Sequence, residues 1–250
     1  MIASVVSGVA LEVVGVVFFA TFIRSAFGFG EALVAVPLLA LYIPITVAAP
    51  LAVLVSITIA AVVVVQDWRK IHVRSAGWLF ASTLLGIPAG LLLLTSSHQR
   101  AVKVCLAIFI LAFSFYSLLG RRPPELKEEH RGLLFGCGFF AGVLGGAWGM
   151  NGPPLVIYGA MRRWTAQQFR ATLQGYFLPA SIVGMVGYWL AGLWVPAVTR
   201  YYLLCLPVLW PAIWLGRAVN HRMHGDHFLR YVYAGLIGIA ALLLAQAARG

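Results

Sequence analysis

The sequence predicts an all-α polytopic membrane protein made of two inverted repeats. Each repeat holds a glycine-broken helix followed by a short half-helix, giving about eight long helices and two short segments in all. Three observations predict this. Hydrophobic residues make up 62% and charged residues 10% of the 250 residues, whereas a soluble domain carries about 25% charged residues. Apolar runs of about 20 residues, the length that crosses a bilayer as a helix, recur from end to end. The pattern of the first half also returns in the second. A shift of 121 residues lays "AFGFGEALVAV" on "AWGMNGPPLVI", Phe27 on Trp148, Gly28 on Gly149 and Trp68 on Trp189.

The elements follow in order. A long helix is expected at 5–26, a short segment at 31–43 and a long one at 46–65. After the basic loop "QDWRKIHVR" come helices at 76–94 and 101–119. The polar stretch "GRRPPELKEEHR" then divides the chain into a first transmembrane repeat (1–119), a linker (120–131) and a second repeat (132–250). The second repeat reads as a long helix at 132–147, a short segment at 153–161 and long helices at 166–190, 198–215 and 231–248. Its last helix needs a further shift of about nine residues, absorbed by the histidine-rich loop. The alternating pattern of a transmembrane barrel is absent. The N-terminal "MIASVVSGVALEVV" lacks a basic leader and carries Glu12, so its segment is expected to stay as a membrane helix rather than be cleaved.

Charge sets the topology. The net charge is +11, and the cations lie between apolar segments, where they orient helices and meet anionic lipid rather than nucleic acid. A 13-residue segment rises only about 20 Å, short of the roughly 30 Å hydrocarbon core. If each short segment helps its side of the chain cross, the loops 66–75, 120–131, 161–165 and 216–230 share one face. That face then holds Arg69, Lys70, Arg74, Arg121, Arg122, Lys127, Arg131, Arg162, Arg163, Arg217, Arg222 and Arg230. The other face holds only Arg100, Lys103, Arg200 and Arg249. The positive-inside rule favours this arrangement, with both termini periplasmic and the halves inverted. Inverted repeats with interrupted helices point to a transporter.

Each break opens a short helix. Gly28, Phe29 and Gly30 lead to Glu31, and Gly149 and Met150 lead to Asn151 and Gly152. Asn151 or Gly152 can cap, and Pro153 suits a first helical position. Two helix N-termini facing one cavity would carry unpaired N–H groups and partial positive charge, which makes an anion site without a lysine. Irregular backbone at this depth is tolerated only where it is buried or lines water. The plainer alternative is that the glycines only let helices pack closely.

These residues resemble a known family. A glycine-rich break followed by a proline-bearing short segment occurs twice, in "FGFGEALVAVPLLALYIP" and "GFFAGVLGGAWGMNGPPLVIYGAMRRW", and "FRATLQGYF" follows the second. The chain is similar in both halves to the sulfite exporter TauE/SafE family of membrane transporters. The resemblance implies a carrier of sulfite, sulfonates or related small anions in a bacterial inner membrane. The family's breaks commonly continue as glycine runs, where this chain has Glu31 and Asn151–Gly152–Pro153.

Few charges lie within the membrane, where each costs about 3 kcal/mol or more unless paired. Arg24 precedes the first break by one turn and can reach Glu31 across it. One reading is a structural salt bridge. The sharper one is that Glu31 takes a proton and frees the site for an anion, so that Glu31 and Arg24 couple transport to protons. Arg170 either snorkels to the surface or clamps an oxyanion, and Gln174, one turn further in, can donate to one. Ser56, Thr58 and Ser181 could line the path, and the plainer reading is that each bonds its own helix backbone. Glu12 has no sequence partner. Cys105, Cys137 and Cys205 read as small buried hydrophobes. "HRMHGDH" spaces His221, His224 and His227 beside Asp226, but Gly225 and Arg222 argue for a solvated loop over a metal site.

No cofactor is expected. The partners are a small anionic substrate and membrane lipids, with room for a homodimer. An enzyme is disfavoured because the histidines lie in loops or near helix ends and the two membrane carboxylates stand nineteen residues apart. An anion channel and a membrane assembly protein without transport activity are the remaining alternatives. No G-x-x-x-x-G-K-[ST] loop is present to drive transport with ATP.

Overall fold

The computed structural model describes residues 2–67, 73–96, 99–119, 125–126, 130–164 and 166–222, with 237–238, 240–241 and 244–245 beyond them. Among these residues the chain is all-helical. Its elements are α1 (Ile2–Phe27), α2 (Glu31–Leu39), α3 (Ile45–Asp67), α4 (Val73–Leu94), α5 (Gln99–Leu118), α6 (Arg131–Trp148), α7 (Gly152–Met161), α8 (Ala166–Leu190) and α9 (Pro196–Arg222). Of the span expected at 231–248, only residues 237–238, 240–241 and 244–245 are described, and these are helical. Six of the helices (α1, α3, α4, α5, α6 and α9) are long and apolar enough to cross a membrane. α2 stops at Leu39, short of the expected 43, because residues 40–43 tighten into turns that lead through Pro44 into α3.

Lipid requires every backbone group to be satisfied within the protein, so each break must end its helix cleanly. At the first break the Gly28 N–H bonds the Arg24 carbonyl at 2.6 Å. At the second, the Gly149 and Met150 N–H groups return to Gly145 and Leu144, as in a Schellman closure. Gly28 (φ 84°), Gly30 (φ 95°) and Gly149 (φ 70°) all adopt left-handed backbone, which costs other L-residues about 1–2 kcal/mol each. Gly28 and Gly149 are the positions that the 121-residue shift pairs.

Packing crosses between the halves. α4 lies along α6 and α1 along α9, while α3 packs on α8 at the centre. Exchanging the halves returns most of the pairs: α1 with α2 as α6 with α7, α2 with α3 as α7 with α8, and α3 with α9 as α8 with α4. The α4–α6 seam is glycine against backbone. A methyl group on Gly86 would strike the Phe139 carbonyl, on Gly90 the Val143 carbonyl, on Gly142 the Thr83 carbonyl and on Gly146 the Ile87 carbonyl. Such close approach is how helices associate where lipid removes the hydrophobic drive.

The same register shows that α4 and α6 run parallel. α8 joins them, since Thr83 meets Tyr176 and Leu91 meets Gly187. The N-terminal ends of α4, α6 and α8 therefore lie at one end of the bundle. The C-terminal end of α7 lies there too: Leu126 of the linker donates to the Met161 carbonyl, and Arg162 donates to the Leu126 carbonyl at 2.9 Å. Exposed Trp78 marks this end, and exposed Trp189 and Trp194 mark the other, the positions that tryptophan favours at membrane interfaces.

Candidate functional site

The two breaks converge near mid-height. Ser56 is the twelfth of the 23 residues of α3, and Ser181 the sixteenth of the 25 of α8. Between them lies a cavity of about 30 Å³, room for about one water. Its walls include Arg24 at the end of α1, Phe29–Leu33 at the start of α2, Ser56 on α3, Gly149–Pro153 at the second break and Phe177 on α8.

Arg24 organises this site. Its guanidinium is 4% exposed and the Glu31 side chain 2%. One terminal nitrogen, Nη1, donates to Glu31 Oε2 and to Ser56 Oγ, both at 2.6 Å, and Nη2 donates to Gln174 Oε1 at 2.7 Å. The Phe177 ring lies 5.0 Å from the guanidinium carbon, a cation–π distance. One side chain thus ties α1, α2, α3 and α8 together. The pairing of Arg24 with Glu31 follows from their places on either side of the break: one closes α1, the other opens α2.

The remaining expected residues take distinct places. Gly28 offers its carbonyl to Gln174 Nε2 at 2.8 Å, so Gln174 spends its donor on the break rather than in the cavity. Gly30, Glu31, Phe29, Gly149, Met150, Asn151 and Gly152 all line the cavity. Asn151 also hydrogen-bonds the Tyr176 hydroxyl, which meets Thr83 Oγ1 at 2.6 Å. The side chain of Arg170 lies outside the described residues, as do those of His221, His224, Asp226 and His227. Among the described residues no group of three or more His, Cys, Asp or Glu is placed to hold a metal.

Several expectations need correction. α7 begins at Gly152, so Pro153 and Pro154 fill its next two positions. Proline has no N–H, so the first turn of α7 offers only the Gly152 donor there, whereas α2 offers those of Glu31, Ala32 and Leu33. The two helix ends are unequal as anion binders. Ser56 bonds Arg24 and lies 3.3 Å from Ser181 Oγ instead of serving only its own helix. Thr58 bonds the Leu54 carbonyl as expected, and also Tyr202 at 2.7 Å. Cys205 is buried, Cys137 half-buried and Cys105 exposed. Glu12 is exposed on α1. Twelve residues separate it from Arg24, about 18 Å along a helix, more than half the core thickness, so it reaches headgroup depth when Arg24 sits at mid-membrane.

The sequence reading missed three side chains: Phe177 beneath the guanidinium, and Tyr176 and Tyr188, which brace the second break. Tyr188 donates to the Gly145 carbonyl at 2.9 Å. Buried tyrosines in a membrane helix need a partner for each hydroxyl, and that polarity was the available signal. The second break is also closely packed, since a methyl group on Gly149 would lie 2.9 Å from Val53 Cγ2. Gly149→Ala is therefore expected to cost about 1–2 kcal/mol from the left-handed backbone alone. Thermal unfolding of the purified protein should show a lowered midpoint; an unchanged midpoint would contradict the tight closure.

The family model for the sulfite exporter TauE/SafE matches residues 13–244. A Cupriavidus necator protein named as a probable sulfite/organosulfonate exporter TauE is 27% identical over 181 residues, covering 72% of this chain and 70% of that protein. No solved structure matches the chain. A family match across nearly the whole chain, on an all-helical frame with several membrane-length apolar helices, makes this a multi-pass membrane protein of a transporter family: the chain belongs to the sulfite exporter TauE/SafE family.

Proposed function

We propose that the chain is a secondary transporter that carries a small sulfur oxyanion, sulfite or an organosulfonate, across the bacterial inner membrane by alternating access at the two breaks. One observation carries this reading: a buried guanidinium stands where both breaks meet, beside the open N-terminus of α2. A fixed positive charge and unpaired N–H groups at mid-depth have no structural need for each other, but together they suit an oxyanion. The name of the Cupriavidus relative, which speaks of sulfite and organosulfonates, supports the substrate class.

The two repeats are read as inverted, and the exchange of packing partners between halves supports that. The N-terminal ends of α4 and α6 and the docked end of α7 share one end of the bundle. This supports a single cation-rich cytoplasmic face, with both termini periplasmic. Arg24 bridges four helices, so any switch between outward and inward states must release some of its bonds. Protonation of Glu31 releases one and couples the anion to a proton.

Uptake into proteoliposomes at pH 6 and pH 8 tests the coupling. Wild-type flux should be faster at pH 6. Glu31→Gln should retain anion binding while its flux becomes nearly independent of pH. Full pH dependence in that variant would remove Glu31 from the coupling.

A further inference from the structure

We infer that Arg24 is the seat of the transported anion and that the Glu31 carboxylate fills this seat when no substrate is bound, so that the substrate is a singly charged oxyanion with two or more oxygens on one centre. This deepens the transport reading above and rests on it.

The ion pair is only half made. Glu31 Oε2 meets Nη1, but Glu31 Oε1 and Arg24 Nε have no hydrogen-bond partner although both are fully buried. An arginine that serves only to brace a carboxylate does so best through two parallel bonds. Here the second tooth of the fork is left open beside the cavity. A buried polar atom without a partner costs about 1–3 kcal/mol, and two such atoms on side chains that line the cavity point to a place for a ligand. An oxyanion with two oxygens can take Nε together with a terminal nitrogen, and a further oxygen can turn to the free N–H groups of α2. The Gln174 amide oxygen, not its nitrogen, faces Arg24, so Gln174 holds the guanidinium in place and leaves the anion to Arg24.

Among the described residues, Arg24 and Glu31 are the only ionisable side chains in the cavity walls. The other described side chains around them, Ser56, Ser181, Gln174, Asn151 and Phe177, carry no charge. The described groups of the resting site therefore sum to zero charge. A monoanion entering while Glu31 stays ionised would leave a net negative charge at low dielectric, which is strongly disfavoured. If Glu31 takes one proton from water as the anion takes Arg24, the site is neutral again. One anion thus binds with one proton. A dianion would leave a negative charge behind, so hydrogensulfite and sulfonates fit where sulfite dianion and sulfate do not.

The test is calorimetric titration of the full chain in detergent with methanesulfonate, whose charge does not change between pH 6 and 8. Wild-type affinity should fall about tenfold per pH unit, and buffers of different ionisation enthalpy should report one proton taken up per anion. Glu31→Gln should bind with no pH dependence and, at pH 8, about tenfold more tightly than wild type or better. Arg24→Gln combined with Glu31→Gln keeps two neutral groups of similar shape and should fold but not bind. Uncharged methanesulfonamide should bind to none of them. Binding by the double variant equal to that of Glu31→Gln would overturn the Arg24 seat while leaving transport intact. Proton uptake near zero in the wild type would overturn the exchange with Glu31 even if the variants failed to fold. No binding of methanesulfonate or sulfite by wild type at either pH would bring down the transport reading along with it.

Discussion

Arg24→Gln alone is expected to abolish transport and to destabilise the protein by about 3–5 kcal/mol. The reason is the partner left behind. Glu31 is 2% exposed and has one oxygen already without a hydrogen bond. Removing the guanidinium leaves a buried carboxylate with no counter-charge. Ser56 and Gln174 also lose their common donor. Glu31→Gln on the same background should recover most of the stability but none of the transport, because the anion seat is gone. Tryptophan-fluorescence melts of the wild type, the single variants and the double variant measure this directly. The coupling between the two sites, read as a double-mutant cycle, should be large. Additive losses would mean that the 2.6 Å contact contributes little and that the site is held by something else.

The second large effect lies away from the site, in the α4–α6 seam. Gly142→Val should prevent assembly of a stable fold. Even a methyl group there meets the Thr83 carbonyl and crowds Gly86 Cα, and backbone cannot rotate away as a side chain can. Overpacking of this kind costs about 1–3 kcal/mol where side chains yield, and more where two helix backbones must separate. Gly136→Ala, on the same helix with open space at its Cβ position, is the matched control and should change nothing measurable. Size-exclusion profiles after mild heating separate the two outcomes. A monodisperse, heat-stable Gly142→Val protein would show that the seam is looser than its glycines imply.

Much of the fold was legible because lipid limits the choices. A bilayer demands long apolar runs, so most helix positions could be read from hydropathy to within a few residues, although α9 runs to Arg222, seven residues past its expected end. The glycines of the two breaks were readable because only glycine takes left-handed backbone freely. The repeat shift then matched Gly28 to Gly149 before any geometry was known. The crossed packing was harder. The four-residue spacing of Gly138, Gly142 and Gly146 marks a seam, but nothing local says that its partner is α4, from the other half.

The site was legible in part. Arg24 and Glu31 sit seven residues apart across a break, and their meeting could be argued from that. The roles of Ser56 and Gln174 could not, since a hydroxyl or amide in a membrane helix has its own backbone as the default partner. Their pairing with Arg24 joins residues 32 and 150 positions away. In the sequence Pro153 reads only as a helix starter. The missing N–H groups of Pro153 and Pro154 make α2 the stronger of the two helix ends, an asymmetry that the repeat pattern conceals.

The most direct test of the central claim is uptake by proteoliposomes of the purified wild-type protein, presented in turn with sulfite, sulfate, taurine, isethionate and sulfoacetate. The account predicts saturable uptake of at least one sulfur oxyanion, abolished by Arg24→Gln combined with Glu31→Gln while the protein remains folded. Absence of flux for every sulfur anion from folded wild-type protein, or equal flux from the double variant, would contradict it.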